Sequence, residues 1–123
     1  MIGYTTVGAN DYGRALEFYD ALFGVIGGKR VMDLGDLVLY GFSQGAMFGV
    51  IKPHDKKPAT SGNGAMIALN VGSKEKVHAV YDMARKLGGA DEGPAGPRSD
   101  NFYAGYFRDL DGNKLCAFTM GSK

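Results

Sequence analysis

The sequence is poor in the residues that most often carry chemistry. It has one cysteine, two histidines and four prolines in 123 residues. A lone Cys116 forms no internal disulfide and no multi-thiolate metal site. With no secretory leader pattern at its start, the chain is expected in a reducing, cytoplasmic setting. Charge of either sign is also lacking, since 14 basic and 13 acidic residues leave a net +1. That balance projects no field toward nucleic acid or an anionic membrane, so neither is expected as a partner. No apolar run approaches the ~20 residues of a membrane span.

What is present fits one globular unit. Apolar types make up 45% and charged types 22%, close to ordinary domains. A chain of this length buries roughly two-thirds of its unfolded surface and needs no metal or disulfide to fold. Twenty glycines are scattered between apolar runs, as in a β-rich fold with tight turns.

An internal repeat organises the chain. A shift of 62 positions places Tyr4, Thr6, Asn10-Asp11, Ala15, Phe18 and Tyr19-Asp20 on Met66, Ala68, Gly72-Ser73, Val77, Val80 and Tyr81-Asp82. Each half reads as a short alternating strand, a capping residue and an amphipathic helix. In the first helix Ala15, Leu16, Phe18, Tyr19, Leu22 and Phe23 form one apolar face. Asp11 or Asn10 caps its start, and Gly24 sits where a left-handed terminal residue is expected. In the second, Ser73 is the cap, the face is Val77, Val80, Tyr81, Ala84 and Leu87, and Gly88-Gly89 end it. Strands are expected over residues 2–9, 29–33, 37–42, 46–51, 65–71, 102–108 and 114–120. In "DLDGN", Asp111-Gly112 suit a tight hairpin. The polar connector, residues 53–63, separates module one (1–52) from module two (64–123) within a single domain.

Two segments carry a family resemblance, "GYTTVGANDYGRALEFYDALFG" near the start and "FYAGYFRDLDGNKLCAF" near the end. Through them the chain resembles the vicinal-oxygen-chelate superfamily of glyoxalases, bleomycin resistance proteins and extradiol dioxygenases. The resemblance implies an α+β fold of paired βαβββ modules, with curled mixed β-sheets around an open cleft. It also implies a homodimer that completes the cleft.

Enzymes of that superfamily hold a divalent metal with His, Glu or Gln from four strands. Carried over one at a time, the first ligand place falls on Tyr4, seven residues before the capping Asp11. The third falls on Met66 and the fourth on Cys116. The second lies on the strand 46–51, at Gly49, with Phe48 and Val50 as alternatives of register. None suits a hard cation. A phenol stays protonated at neutral pH, a thioether is soft, and one thiolate does not complete a zinc tetrahedron. No metal and no cofactor are therefore expected.

The remaining suggestive residues read plainly. His54 lies in the connector and His78 off the apolar helix face, so both read as solvated. Cys116 reads as a nucleophile only with a base or cation beside it, and otherwise as a small buried hydrophobe. The acids of "DLDGN" do not have the spacing of a calcium loop. The expected ligand-binding residues are Tyr4, Thr6, Tyr40, Phe48, Met66, Tyr106, Cys116 and Phe118, an apolar and aromatic lining with a few hydroxyls. The leading expectation is a protein that binds a small apolar or aromatic molecule without a metal. The rivals are a divergent metal-independent lyase or isomerase and a non-catalytic interaction subunit.

Overall fold

The computed structural model describes residues 1–121. Its first half runs β1 (Tyr4–Gly8), α1 (Tyr12–Gly24), β2 (Lys29–Asp33), β3 (Leu37–Gly41) and β4 (Met47–Ile51). The second half runs β5 (Ile67–Asn70), α2 (Lys74–Lys86), β6 (Ala90–Ser99), β7 (Phe102–Arg108) and β8 (Lys114–Met120). The first set lies within residues 1–52 and the second within 64–123, whose last two positions fall outside the described residues. Two four-stranded mixed sheets result, ordered β1-β4-β3-β2 and β5-β8-β7-β6. In each, the first strand runs parallel to the last, and the other pairs are antiparallel. The sheets do not close on one another. This is the expected α+β architecture of paired βαβββ modules.

Both helices start as their sequences dictate. The Asp11 side chain accepts from the Arg14 N–H, and the Ser73 hydroxyl from the Lys76 N–H, each satisfying a free donor of the first turn. The end of α1 differs from expectation. Gly24 closes the helix without a left-handed backbone, and Gly27, with φ of 78°, makes the reversal three residues later. Strand β6 was hidden in the sequence, because "ADEGPAGPRS" holds two prolines and two glycines. It survives as a strand because it is an edge, where a missing outward N–H costs nothing. Its pairing with β7 is broken by bulges.

Each sheet turns one face to its helix. From sheet one, Val7, Val38, Tyr40, Phe48 and Val50 bury against α1; from sheet two, Leu115, Ala117 and Phe107 join Val77, Val80 and Ala84 of α2. The heart of module one is aromatic. Phe23 lies 4.9 Å from Phe48 and 5.3 Å from Tyr40, and Tyr19 lies 5.0 Å from Phe48, centroid to centroid. Each such pair contributes about 0.5–1.5 kcal/mol beyond its buried area. The Tyr40 hydroxyl leaves this core to donate to Asp20, which also takes two guanidinium bonds from Arg30.

The "DLDGN" turn joins the modules. Asp109, the one buried charged residue among those described, accepts four hydrogen bonds. Its Oδ1 takes the N–H groups of Asp111 and Asn113, each at 2.9 Å. Its Oδ2 takes the Asn113 side-chain amide at 2.9 Å and the Tyr19 hydroxyl of α1 at 2.6 Å. Asn113 also donates to the Gly8 carbonyl, and Asp111 accepts from the Asn10 N–H. The end of β1 and the start of α1 are thus bolted to the far module.

Two outcomes follow. Asp109→Ala leaves the Tyr19 hydroxyl and two backbone donors unpaired, and should cost about 2–4 kcal/mol, measured by urea unfolding; Tyr19→Phe should cost less. The second concerns acid. The Arg30 guanidinium holds the Asp20 carboxyl below the usual carboxylate range, with help from Tyr40 and against a smaller effect of burial. A depressed folded value means the stabilisation is complete above the unfolded pKa, about 4, and fades as pH falls through the folded value. The melting-temperature difference between wild type and Arg30→Gln should therefore hold steady above about pH 5 and shrink below about pH 4.

Candidate functional site

The faces turned away from the helices are the candidate site. Strand alternation places Tyr4, Thr6 and Gly8 of β1 there, with Gly49 opposite Thr6 and Leu39 opposite Gly49. On sheet two the same rule places Ala68, Cys116 and Tyr106 in one cross-strand row, and Asn70, Phe118 and Ala104 in the next. These faces leave large apolar side chains in water, with Tyr4 53% exposed, Met66 43% and Met120 61%.

The sequence-derived residues divide into three groups. Tyr106, Cys116 and Phe118 share the open face of sheet two, and Tyr4 and Thr6 share that of sheet one. Met66 lies just before β5, at the junction of the modules. Tyr40 does not belong with them, and Phe48 touches only the groove described below, which it lines with Met66. Both are fully buried on the helix side, paired as neighbours across β3 and β4. Their parity is set by the pleat, because Gly49 takes the open face and its neighbour must take the other.

Several contributors escaped sequence reading. Phe102 stacks on Phe118 with centroids 5.4 Å apart. Arg98 and Lys114 lie over the Tyr106 ring at 5.3 and 5.6 Å. Lys114 was accessible by counting two residues back from Cys116. Arg98 was not, since it lies on the unforeseen β6. The two histidines are exposed, and His78 Nε2 lies 2.6 Å from the Tyr103 hydroxyl, on the α2 side of sheet two.

Two grooves mark the surface, the first of them lined in part by Met66, Ala68 and Asn70. One of about 930 Å³ runs between the β3–β4 turn (Phe42, Ser43, Gln44, Gly45) and the start of α2 near Gly72 and Lys76. It occupies the place that the "DLDGN" turn fills in the other half. Gly45 and Gly112 take matching left-handed turns, with φ of 89° and 86°, but Phe42 and Ala46 stand where Asp109 and Asn113 would act. The other groove, about 850 Å³, follows the connector past Lys52, His54, Lys56 and Lys57.

The model of the Glyoxalase/Bleomycin resistance protein/Dioxygenase superfamily matches residues 1–117. The chain belongs to this superfamily. A glyoxalase/bleomycin resistance protein from Albidiferax ferrireducens T118 is 35% identical, with a TM-score of 0.89 over 98% of this chain and 99% of that one. Lactoylglutathione lyase from Agrobacterium tumefaciens shares the fold at 22% identity and a TM-score of 0.71, over 97% of this chain and 92% of its own. A family enzyme from Burkholderia phytofirmans PsJN does so at 16% identity and a TM-score of 0.77, over 97% and 98%. No protein of curated function gives a match.

The ligand places expected from the resemblance are Tyr4, Met66 and Cys116, with the second at Gly49 or, in another register, Phe48 or Val50. No three His, Cys, Asp or Glu side chains converge to hold an ion among the described residues. The space beside Gly49 is tight. A Cβ built there would meet Leu37 Cδ1, Leu39 Cδ2 and the Thr5 carbonyl, each at 3.0 Å. The tips of both leucines would have to give way to a larger side chain at this position.

Cys116 is not an activated thiol. It is 1% exposed, and burial pushes its pKa up, more than Tyr106, Arg98 and Lys114 pull it down. The Tyr106 phenol is likewise raised, first by burial and then by its proximity to Cys116. Both shifts favour the protonated form, which is neither a nucleophilic thiolate nor a phenolate base. Native protein should react with a thiol-specific disulfide reagent at pH 7 at least about tenfold more slowly than the unfolded chain. Equal rates would show the thiol to be open.

Proposed function

We propose that this superfamily member is a metal-independent binding protein that holds a small apolar or aromatic molecule against its open sheet faces. A second copy of the chain completes the cleft. The reading rests chiefly on the second ligand place expected at Gly49, where Leu37 and Leu39 come close to where a side chain would stand. Around it, Tyr4, Met66 and Cys116 offer a phenol, a thioether and one buried thiol. That set does not fit a divalent cation that prefers imidazole and carboxylate. The same surfaces suit burial of an apolar molecule, with Thr6 and Tyr106 as orienting hydroxyls.

The exposed side chains support the second copy. Tyr4, Met66 and Met120 stand in water on faces that a monomer leaves uncovered, and large apolar exposure of this kind marks interaction surfaces. Sequestration in such a cleft needs shape and burial and no reactive group. The protonated Cys116 and Tyr106 favour it over a lyase or isomerase that would use them as nucleophile or base.

Protein purified without chelator should contain less than about 0.1 metal ion per chain. Zn²⁺ and Ni²⁺ titrations should leave its melting temperature unchanged, because an ion bound only to the native state must raise it. Light scattering should give twice the monomer mass. A stoichiometric metal would overturn the binding-protein reading, and a monomer at micromolar concentration would overturn the shared cleft.

A further inference from the structure

The open face of sheet two carries charge that the rest of the fold leaves uncompensated. Arg98 on β6 and Lys114 on β8 flank Tyr106 on β7, one from each neighbouring strand, with their cationic groups over its ring. Arg98 is held in place by its own backbone. Its Nη1 donates to the Gly96 carbonyl at 2.9 Å and its Nη2 to the Pro94 carbonyl at 2.7 Å. Gly93 leaves room for it, since a Cβ there would come within 3.2 Å of Nη2.

Among the described residues, neither cation has an acidic partner. The ion pairs among the described residues are Arg30–Asp20, Lys52–Asp36 and Arg108–Glu92. The acids nearest in the sheet are engaged, Glu92 by Arg108 and Asp91 by the Tyr81 hydroxyl on the α2 side. Two unpaired cations, one pre-positioned, thus stand beside an aromatic row of Tyr106, Phe118 and Phe102. A guanidinium fixed by carbonyls retains free N–H donors and loses little side-chain entropy on meeting an anion.

We propose that Arg98 and Lys114 receive the anionic group of the ligand, so that the molecule bound in the cleft is an aromatic or apolar acid. Its ring system lies along Phe102 and Phe118, and its carboxylate, sulfonate or phosphate points to Tyr106. This assignment rests on the binding-protein reading above and narrows its ligand class. It also accounts for two cations, outside the Arg108–Glu92 pair, beside Tyr106.

The test uses two fluorescent probes with the same rings, the anion 1-anilinonaphthalene-8-sulfonate and the neutral N-phenyl-1-naphthylamine, titrated into the full chain. Wild type should bind the sulfonate at least about tenfold more tightly, the value of one charge-assisted contact. The double variant Arg98→Gln/Lys114→Gln should lose that preference while its affinity for the neutral probe stays within about twofold. The control Lys56→Gln/Lys57→Gln removes the same charge from the connector and should keep the preference. If the double variant does not fold by circular dichroism, Lys114→Gln alone should still lower the sulfonate preference at least about threefold.

Equal affinity of wild type for both probes would sink the anion assignment and leave the cleft reading standing. So would a preference that survives Arg98→Gln/Lys114→Gln or falls equally in the connector control. Failure of both probes to bind would remove the cleft reading, and this assignment with it.

Discussion

One carboxylate, that of Asp109, holds the two modules in register. It is buried, and burying an ionised group is expensive unless every lone pair finds a donor. Here the donors come from three sources: the backbone of its own turn, the Asn113 side chain and the Tyr19 hydroxyl of the opposite module. Tyr19 is also a central ring of the aromatic core around Phe23 and Phe48. The polar latch and the apolar core therefore share a residue, and disturbing either disturbs the other. Because Asn113 and Asp111 reach on to Gly8 and Asn10, the latch also sets the end of β1 whose open face is part of the candidate site.

The latch is one-sided, and the asymmetry is informative. The repeat gives each module an equivalent turn before its last strand, with a left-handed glycine in each. Only the second carries the acid and the amide. In the first, Phe42 packs edge-on against Phe23 at 5.1 Å, and a groove lies beyond it toward α2. The bonds that tie the second turn to the other module have no counterpart at the first turn among the described residues. The two halves also divide their chemistry. Module one contributes Tyr4, Thr6 and a leucine-filled floor. Module two contributes the aromatic row, the buried thiol and the cations.

The residues at the four expected ligand places are the basis on which a metal-independent role is proposed for this superfamily member. A fold does not fix a function, and a curled sheet serves Lewis-acid chemistry only when imidazoles and carboxylates face inward. At Gly49 the neighbouring strand brings Leu37 and Leu39 close to where a side chain would stand. In the proposed reading, the open faces shield an apolar molecule and Arg98 and Lys114 meet its negative charge.

Much of this was legible from residue order alone. Period and caps set α1 and α2, because Asp11 and Ser73 satisfy donors that any helix leaves free. The repeat set the pairing of modules. Tertiary structure decided the rest. The facing of Tyr40 and Phe48 depended on strand parity, which a local window cannot fix when both faces of a strand are apolar. Strand β6 depended on its place at a sheet edge, which excuses its prolines. The partnership of Arg98 with Tyr106 and Lys114 depended on that strand in turn. Local sequence determines what the backbone does over a few residues; which side chains then meet is settled only when distant strands pair.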